Sequence, residues 1–322
     1  MKFIIMDLDD YFISKREEYI MDSFRFQNGE VLNNAVVEYM TFGTPKYDDN
    51  GCINNAVVYC HGSLGNYASV SKLCPLSYAG GPFDKNEFFF ISLSELGAPG
   101  SCSPSTTGLN NSFPKYSVDK FGITHVRGII GNSMGGFVAL TCAVLYPDYA
   151  DFIISGASGY KVAGRNYILS KLVDEIISTD EDYDSGNNTS SLERTLRLAT
   201  QAVYSFGISK EALHKIPNNQ LDVEFDEFGD EGLLDSIFDV KYCNDATLDY
   251  DIEKDLNKIK SKVLIIGINQ DQYFPPNLDA IPMYNLIEDS ELIIYDSDLG
   301  HIGFRELETI EKELSEFMKN FR

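Results

Sequence analysis

Short, continuous apolar runs recur at residues 56–60, 88–92, 126–130, 152–154, 263–268 and 292–295, separated by loop-like or helix-like sequence. Runs of this length, without the alternation of a half-exposed strand, predict parallel strands covered on both faces. Ahead of them, 24–26 and 35–42 read as an antiparallel hairpin around Asn28-Gly29, and 7–21 as a short amphipathic helix. Residues 134–146 supply a helix stopped by Pro147, and 304–321 a closing amphipathic helix. Between 160 and 250 the pattern changes to polar, acidic and helix-forming, with a loop-rich link at 180–191. The expected organisation is an α/β core in two parts, 1–159 and 251–322, carrying a helical cap inserted at 160–250.

Charge narrows the partners. The 322 residues carry a formal charge of −23, which repels nucleic acid and anionic membrane surfaces. Six cysteines show neither a CxxC pair nor a metal-ligand spacing, so free thiols and a reducing, cytoplasmic setting are expected. The first residues are too short for a signal segment, and no apolar stretch reaches the roughly 18 residues of a membrane span. A small molecule is the expected partner, with a homodimer as an open possibility.

The chemistry is concentrated at Gly131-Asn132-Ser133-Met134-Gly135, between the 126–130 run and the 134–146 helix. Strand, G-x-S-x-G and helix in succession form the nucleophile elbow of α/β-hydrolases, whose sharp turn lifts the serine hydroxyl clear of the sheet. Such a serine needs a base. Of four histidines, His301 alone stands between the last apolar run and the last helix, where this fold places its base; His61, His125 and His214 do not. Asp271 follows the 263–268 run and completes the chain order Ser, Asp, His. Asp298 is the rival orienter, being close to His301 in sequence. Backbone amides of Met134 and of Ser63, in the loop His61-Gly62-Ser63-Leu64-Gly65, are the expected oxyanion donors, with Leu64 as the neighbouring alternative.

These residues also carry a family likeness. Residues 28–32 and 38–44, Cys60-His61-Gly62-Ser63, 83–85 through 94–97, 105–108 with Phe113-Pro114, the elbow 131–136, and Ile266-Gly267-Ile268 leading to Asp271 and Phe274-Pro275-Pro276 resemble homoserine O-acetyltransferases over most of the sheet domain. The resemblance implies an α/β-hydrolase fold with a mostly parallel central sheet and a helical cap, Ser133 as nucleophile, Asp271 as orienter and His301 as base. There are departures. Asn132 replaces a glycine, Ile302 replaces the aspartate that helps bind the homoserine amine, and the cap helix lacks a clear match to the arginine for the homoserine carboxylate. Arg165 and Lys171 are the nearest substitutes. The link 97–124 shows little helical pattern, although family members carry a helix before the elbow strand.

The reading that follows is a serine acyl-transfer enzyme that hydrolyses a small ester or amide, because charged partners for an amino-acid acceptor are missing. The alternative is an O-acyltransferase with acetyl-coenzyme A as co-substrate; a third, from another class, is an inactive scaffold on this fold. No cofactor or metal is called for. Met6-Asp7-Leu8-Asp9-Asp10 resembles a phosphatase opening but lacks its continuation, and the acidic runs 180–184 and 222–230 lack the alternation of a calcium loop.

Overall fold

The computed structural model describes residues 16–26, 29–103, 123–185 and 189–322. Its eight strands form one sheet in the order β1-β2-β4-β3-β5-β6-β7-β8: β1 (Glu17–Arg25), β2 (Val31–Gly43), β3 (Ala56–Cys60), β4 (Phe89–Leu93), β5 (Val126–Asn132), β6 (Ala150–Gly156), β7 (Lys262–Ile268) and β8 (Ser290–Tyr295). β1, β2 and β4 pair antiparallel; all pairings from β4 through β8 are parallel. The mostly parallel α/β sheet expected from the apolar runs is present, each run lying inside its strand or one residue off it.

Side chains of successive strand residues point to opposite faces, and both faces are covered. Val57 and Tyr59 of β3 join a core with Phe83, Phe90, Phe152, Phe304 and Phe317. Ala56, Val58 and Cys60 join another with Ile91, Leu140, Ile265 and Met283. Helix α1 (Met134–Leu145) lies on this second face.

Two expected elements differ. Residues 17–21, placed in an N-terminal helix by their pattern, belong to β1, whose register runs from Glu17 opposite Tyr39 to Arg25 opposite Val31. β1 is an edge strand with no fully buried position, so its sequence carries little strand periodicity and pairing with β2 decides it. The closing segment is not one helix either. It runs through 3-10 turns Gly300–Arg305 and Leu307–Ile310 before the α-helix Glu311–Met318 and a last 3-10 turn, Lys319–Phe321. Its buried apolar residues are three apart at Phe304, Leu307 and Ile310, which suits three residues per turn, and shift to 3.6-like spacing only at Leu314, Phe317 and Met318.

Between β6 and β7, the described residues form five α-helices: α2 (Gly164–Ser178), α3 (Ser190–Gly207), α4 (Lys210–Lys215), α5 (Asn218–Gly232) and α6 (Ile237–Leu248). The two ends of this segment meet: Val162 N–H donates to Tyr250 O at 2.9 Å and Ile252 N–H to Tyr160 O at 3.0 Å. α2, α3 and α6 bury a small core of their own around Val173, Ile177, Leu192, Leu196 and Ile237. Helix α7 (Ala280–Leu286) follows β7, and α8 (Glu311–Met318) is the last α-helix among the described residues. The phosphatase-like residues 6–10, the family-like stretches 105–108 and 113–114, and most of the link before β5 lie outside the described residues. So does Asn28.

Candidate active site

β5 drives its chain straight into α1, and Ser133 occupies the joint with φ 54° and ψ −125°. A non-glycine residue at positive φ costs on the order of 1–3 kcal/mol and persists only where its surroundings enforce it. They do so here. Ser133 N–H donates to Gly156 O at 3.0 Å, and Ser158 Oγ donates to Ser133 O at 2.9 Å, tying the turn to β6. Glycine is required on both sides, because a Cβ at Gly131 would overlap the Gly135 carbonyl, and one at Gly135 would overlap the carbonyl of Cys60.

His301 reaches the serine from the 3-10 turn after β8. Its Nε2 lies 2.9 Å from Ser133 Oγ and its Nδ1 2.8 Å from Asp271 Oδ2. Asp271 follows β7 and is 3% exposed. Its other oxygen, Oδ1, accepts from the backbone N–H groups of Tyr273 at 2.8 Å and Phe274 at 3.1 Å. A carboxylate so placed makes Nδ1 the protonated nitrogen and leaves the Nε2 lone pair facing the hydroxyl. The Tyr273 ring stands edge-on to the imidazole, centroids 4.8 Å apart, and limits its swing. The three side chains named from chain order therefore converge, although 168 residues separate Ser133 from His301.

The hydroxyl opens into a cavity of about 580 Å³, within the size range of small-molecule sites. Its floor is the rim of the sheet, including Ser63, Leu64, Met134 and Phe274; its roof comes from α2, α3, α5 and α6. α2 contributes Asn166, Leu169, Ser170 and Val173, one helical face. Met134 begins α1, so its N–H has no carbonyl one turn earlier to bond. Ser63 and Leu64 sit beside the elbow: a Cβ on the preceding Gly62 would lie 3.5 Å from that of Ser133.

The other candidates are engaged elsewhere. His61 is fully buried, its Nδ1–H donating to Gly62 O at 2.7 Å and its Nε2 accepting from Glu95 N–H at 3.0 Å. Burial, against the pull of the Gly62 bond, lowers its pKa to about 4, so it stays neutral. His125 lies 2.9 Å from Asp151, and His214 is in α4. Asp298 binds Lys215 at 2.6 Å rather than His301. Arg165 is exposed and Lys171 pairs with Asp174, so neither replaces the missing arginine at the cavity wall. Sequence reading missed Lys72, Arg305 and Glu231, which all line the cavity; nothing in their local sequence distinguishes them from surface charges.

Among the described residues, no group of three or more His, Cys, Asp or Glu could hold a metal ion, and no helix is long and apolar enough to cross a membrane. No disulfide joins any of the six cysteines, all of which lie among the described residues.

The family model described as alpha/beta hydrolase fold matches residues 55–304. The chain belongs to the α/β-hydrolase fold family. Within it, the chain is 41% identical over 299 residues to a protein of Methanothermobacter thermautotrophicus named "Probable acyltransferase", covering 89% of this chain and 92% of that one. It is 26% identical over 327 residues to a homoserine O-acetyltransferase of Haemophilus influenzae, with 86% and 90% covered. The likeness to homoserine O-acetyltransferases expected from the motifs is thus borne out. An acetylester hydrolase of Corynebacterium glutamicum superposes with a TM-score of 0.79 at 19% identity, covering 94% of this chain and 96% of that one, and shares the fold. An enzyme with acyltransferase and esterase relatives is the reading these comparisons carry.

Proposed function

We propose that the protein transfers acyl groups through a covalent acyl-Ser133 intermediate. The observation that carries this is the unbroken relay from Ser133 Oγ through His301 to Asp271 at the mouth of the cavity. His301 Nε2 takes the hydroxyl proton as Oγ attacks an ester or thioester carbonyl. The N–H groups of Ser63 and Met134 hold the resulting oxyanion, which is where most of the barrier lowering in such sites arises. Collapse of that intermediate expels the alcohol or thiol, protonated by the same imidazole, and leaves acyl-Ser133. An incoming hydroxyl then gives its proton to His301 and attacks the acyl carbonyl; Ser133 leaves with that proton. Asp271 keeps the tautomer and stabilises the imidazolium that forms at each step. The helices between β6 and β7 act as the cap that shapes access.

Water and a small alcohol compete as the second nucleophile. The relative at 41% identity, named a probable acyltransferase, supports transfer rather than hydrolysis. Ile302, where homoserine O-acetyltransferases resembled by this chain carry an aspartate, supports hydrolysis or an acceptor other than homoserine.

Two measurements test this. A fluorophosphonate probe should label wild-type protein and not Ser133→Ala, whose kcat on any substrate should fall by about 10⁶-fold; labelling of the variant would remove Ser133 from the mechanism. Thiol release from acetyl-coenzyme A should then be followed with and without candidate alcohols. Release that requires the alcohol assigns transfer, and release in water alone assigns hydrolysis.

A further inference from the structure

Two cations in the cavity have no part in the relay. Lys72 lies on the 3-10 helix Tyr67–Leu76, which follows the glycine loop of the proposed oxyanion site, and Arg305 ends the turn that carries His301. Both line the same cavity as Ser133. Lys72 Nζ is 3.5 Å from Oδ1 of Asn132, the residue before Ser133, and that oxygen already accepts from the Tyr59 hydroxyl at 2.8 Å. A contact that long, on an acceptor already used, is weak support for an ammonium.

The two cations differ in their counter-charges. Burial lowers the pKa of Arg305, while Tyr204, Glu231 and Glu306 around it pull the other way and favour its charged form. For Lys72, among the described residues, no carboxylate supports the charge; burial and then the neighbouring Arg305 pull its pKa down to about 8. It still carries its proton through most of the population at neutral pH. The chain has 49 acidic side chains against 26 basic ones, so counter-ions are abundant elsewhere on the molecule. An ammonium without a carboxylate partner, partly buried and facing the reaction cavity of such a chain, is an arrangement that an anionic ligand would complete, because even partial loss of water around an unpaired charge costs free energy.

We propose that Lys72, backed by Arg305, is an anion subsite that binds a carboxylate on the substrate, carried either on the acyl group delivered to Ser133 or on the alcohol half of the ester. Lys72 is then a specificity-determining residue rather than part of the proton relay. This rests on the acyl-Ser133 reading for its catalytic consequence, though not for binding itself. The ammonium donates a charge-assisted hydrogen bond to the carboxylate; a neutral isostere leaves Lys72 unsatisfied. The expected discrimination is about 10- to 100-fold.

The test uses two anionic esters, each against its neutral methyl ester. Monomethyl succinate against dimethyl succinate places the carboxylate on the acyl side. 3-Acetoxypropionate against methyl 3-acetoxypropionate, followed by acetate release, places it on the alcohol side. The readout is the anionic-to-neutral ratio of kcat/KM in the wild type, Lys72→Met and Lys72→Arg, so a general loss of activity cancels. For one pair the wild-type ratio should exceed that of Lys72→Met by about tenfold or more, with Lys72→Arg recovering most of it; the responding pair identifies the side. Equal ratios in wild type and Lys72→Met for both pairs would overturn the subsite. Titrating the same probes by NMR into Ser133→Ala, with and without Lys72→Met, reads binding without chemistry. Lys72-dependent binding of the anion there, together with no turnover in the wild type, keeps the subsite and removes the acyl-serine reading; no Lys72 dependence removes the subsite.

Discussion

The loops after β7 and after β4 each bury a carboxyl group at the rim of the sheet, and they treat it in opposite ways. Asp271 and Glu95 are both 3% exposed. Asp271 is met by three donors, two backbone N–H groups and the His301 imidazole. Glu95 is met by none among the described residues: both its oxygens are buried and unbonded, and burial raises its pKa to about 8. Its own N–H is spent on His61, which is neutral and offers the acid no charge. The thiols of Cys60 and Cys243 are close enough to feel it, and burial together with Glu95 pushes both upward. Depth alone therefore does not make a working carboxylate. Donors converging on it do, because each replaces a hydrogen bond that water supplied.

This contrast can be broken from either side. The largest effect belongs to Asp271→Asn, which keeps the shape but lets the imidazole adopt the wrong tautomer; kcat should fall by about 10⁴-fold. A loss below tenfold in steady-state assays would show that another group orients His301. Glu95→Gln should act on stability. Below an ordinary glutamate pKa of 4.5 both folded and unfolded chains hold the proton. Above it the unfolded chain releases the proton first, so wild-type stability falls by about 1.4 kcal/mol per pH unit until roughly pH 8, where the folded-state group ionises too. The amide abolishes this slope. The melting-temperature gain of Glu95→Gln should therefore grow between pH 5 and 8.5, and parallel melting curves across that range would refute the assignment. The smallest effect is Asp298→Asn. Its carboxylate serves an exposed pair with Lys215, so kcat should change less than about twofold; a larger fall would return Asp298 to the relay.

How much was legible in the chain follows from the range of each interaction. The strand runs, the elbow at 131–135, and the succession of Ser133, Asp271 and His301 were readable because burial on both faces and a tight strand-to-helix turn each demand particular residues within a few positions. The expectation for 7–21 met a half-exposed edge strand at 17–21, where local pattern is weak and pairing with β2 decides. At the closing segment the three-residue spacing of Phe304, Leu307 and Ile310 was present in the sequence but lost within a helical average.

Local order along the chain thus sufficed to locate a strained serine and to rank its partners, since a turn and its flanking elements are specified by neighbours. Which charges share the cavity was decided only by tertiary structure. Lys72, Glu231 and Arg305 come from three separate segments, and their chemistry is set by desolvation and by distances through space. Neither quantity is encoded in the residues beside them.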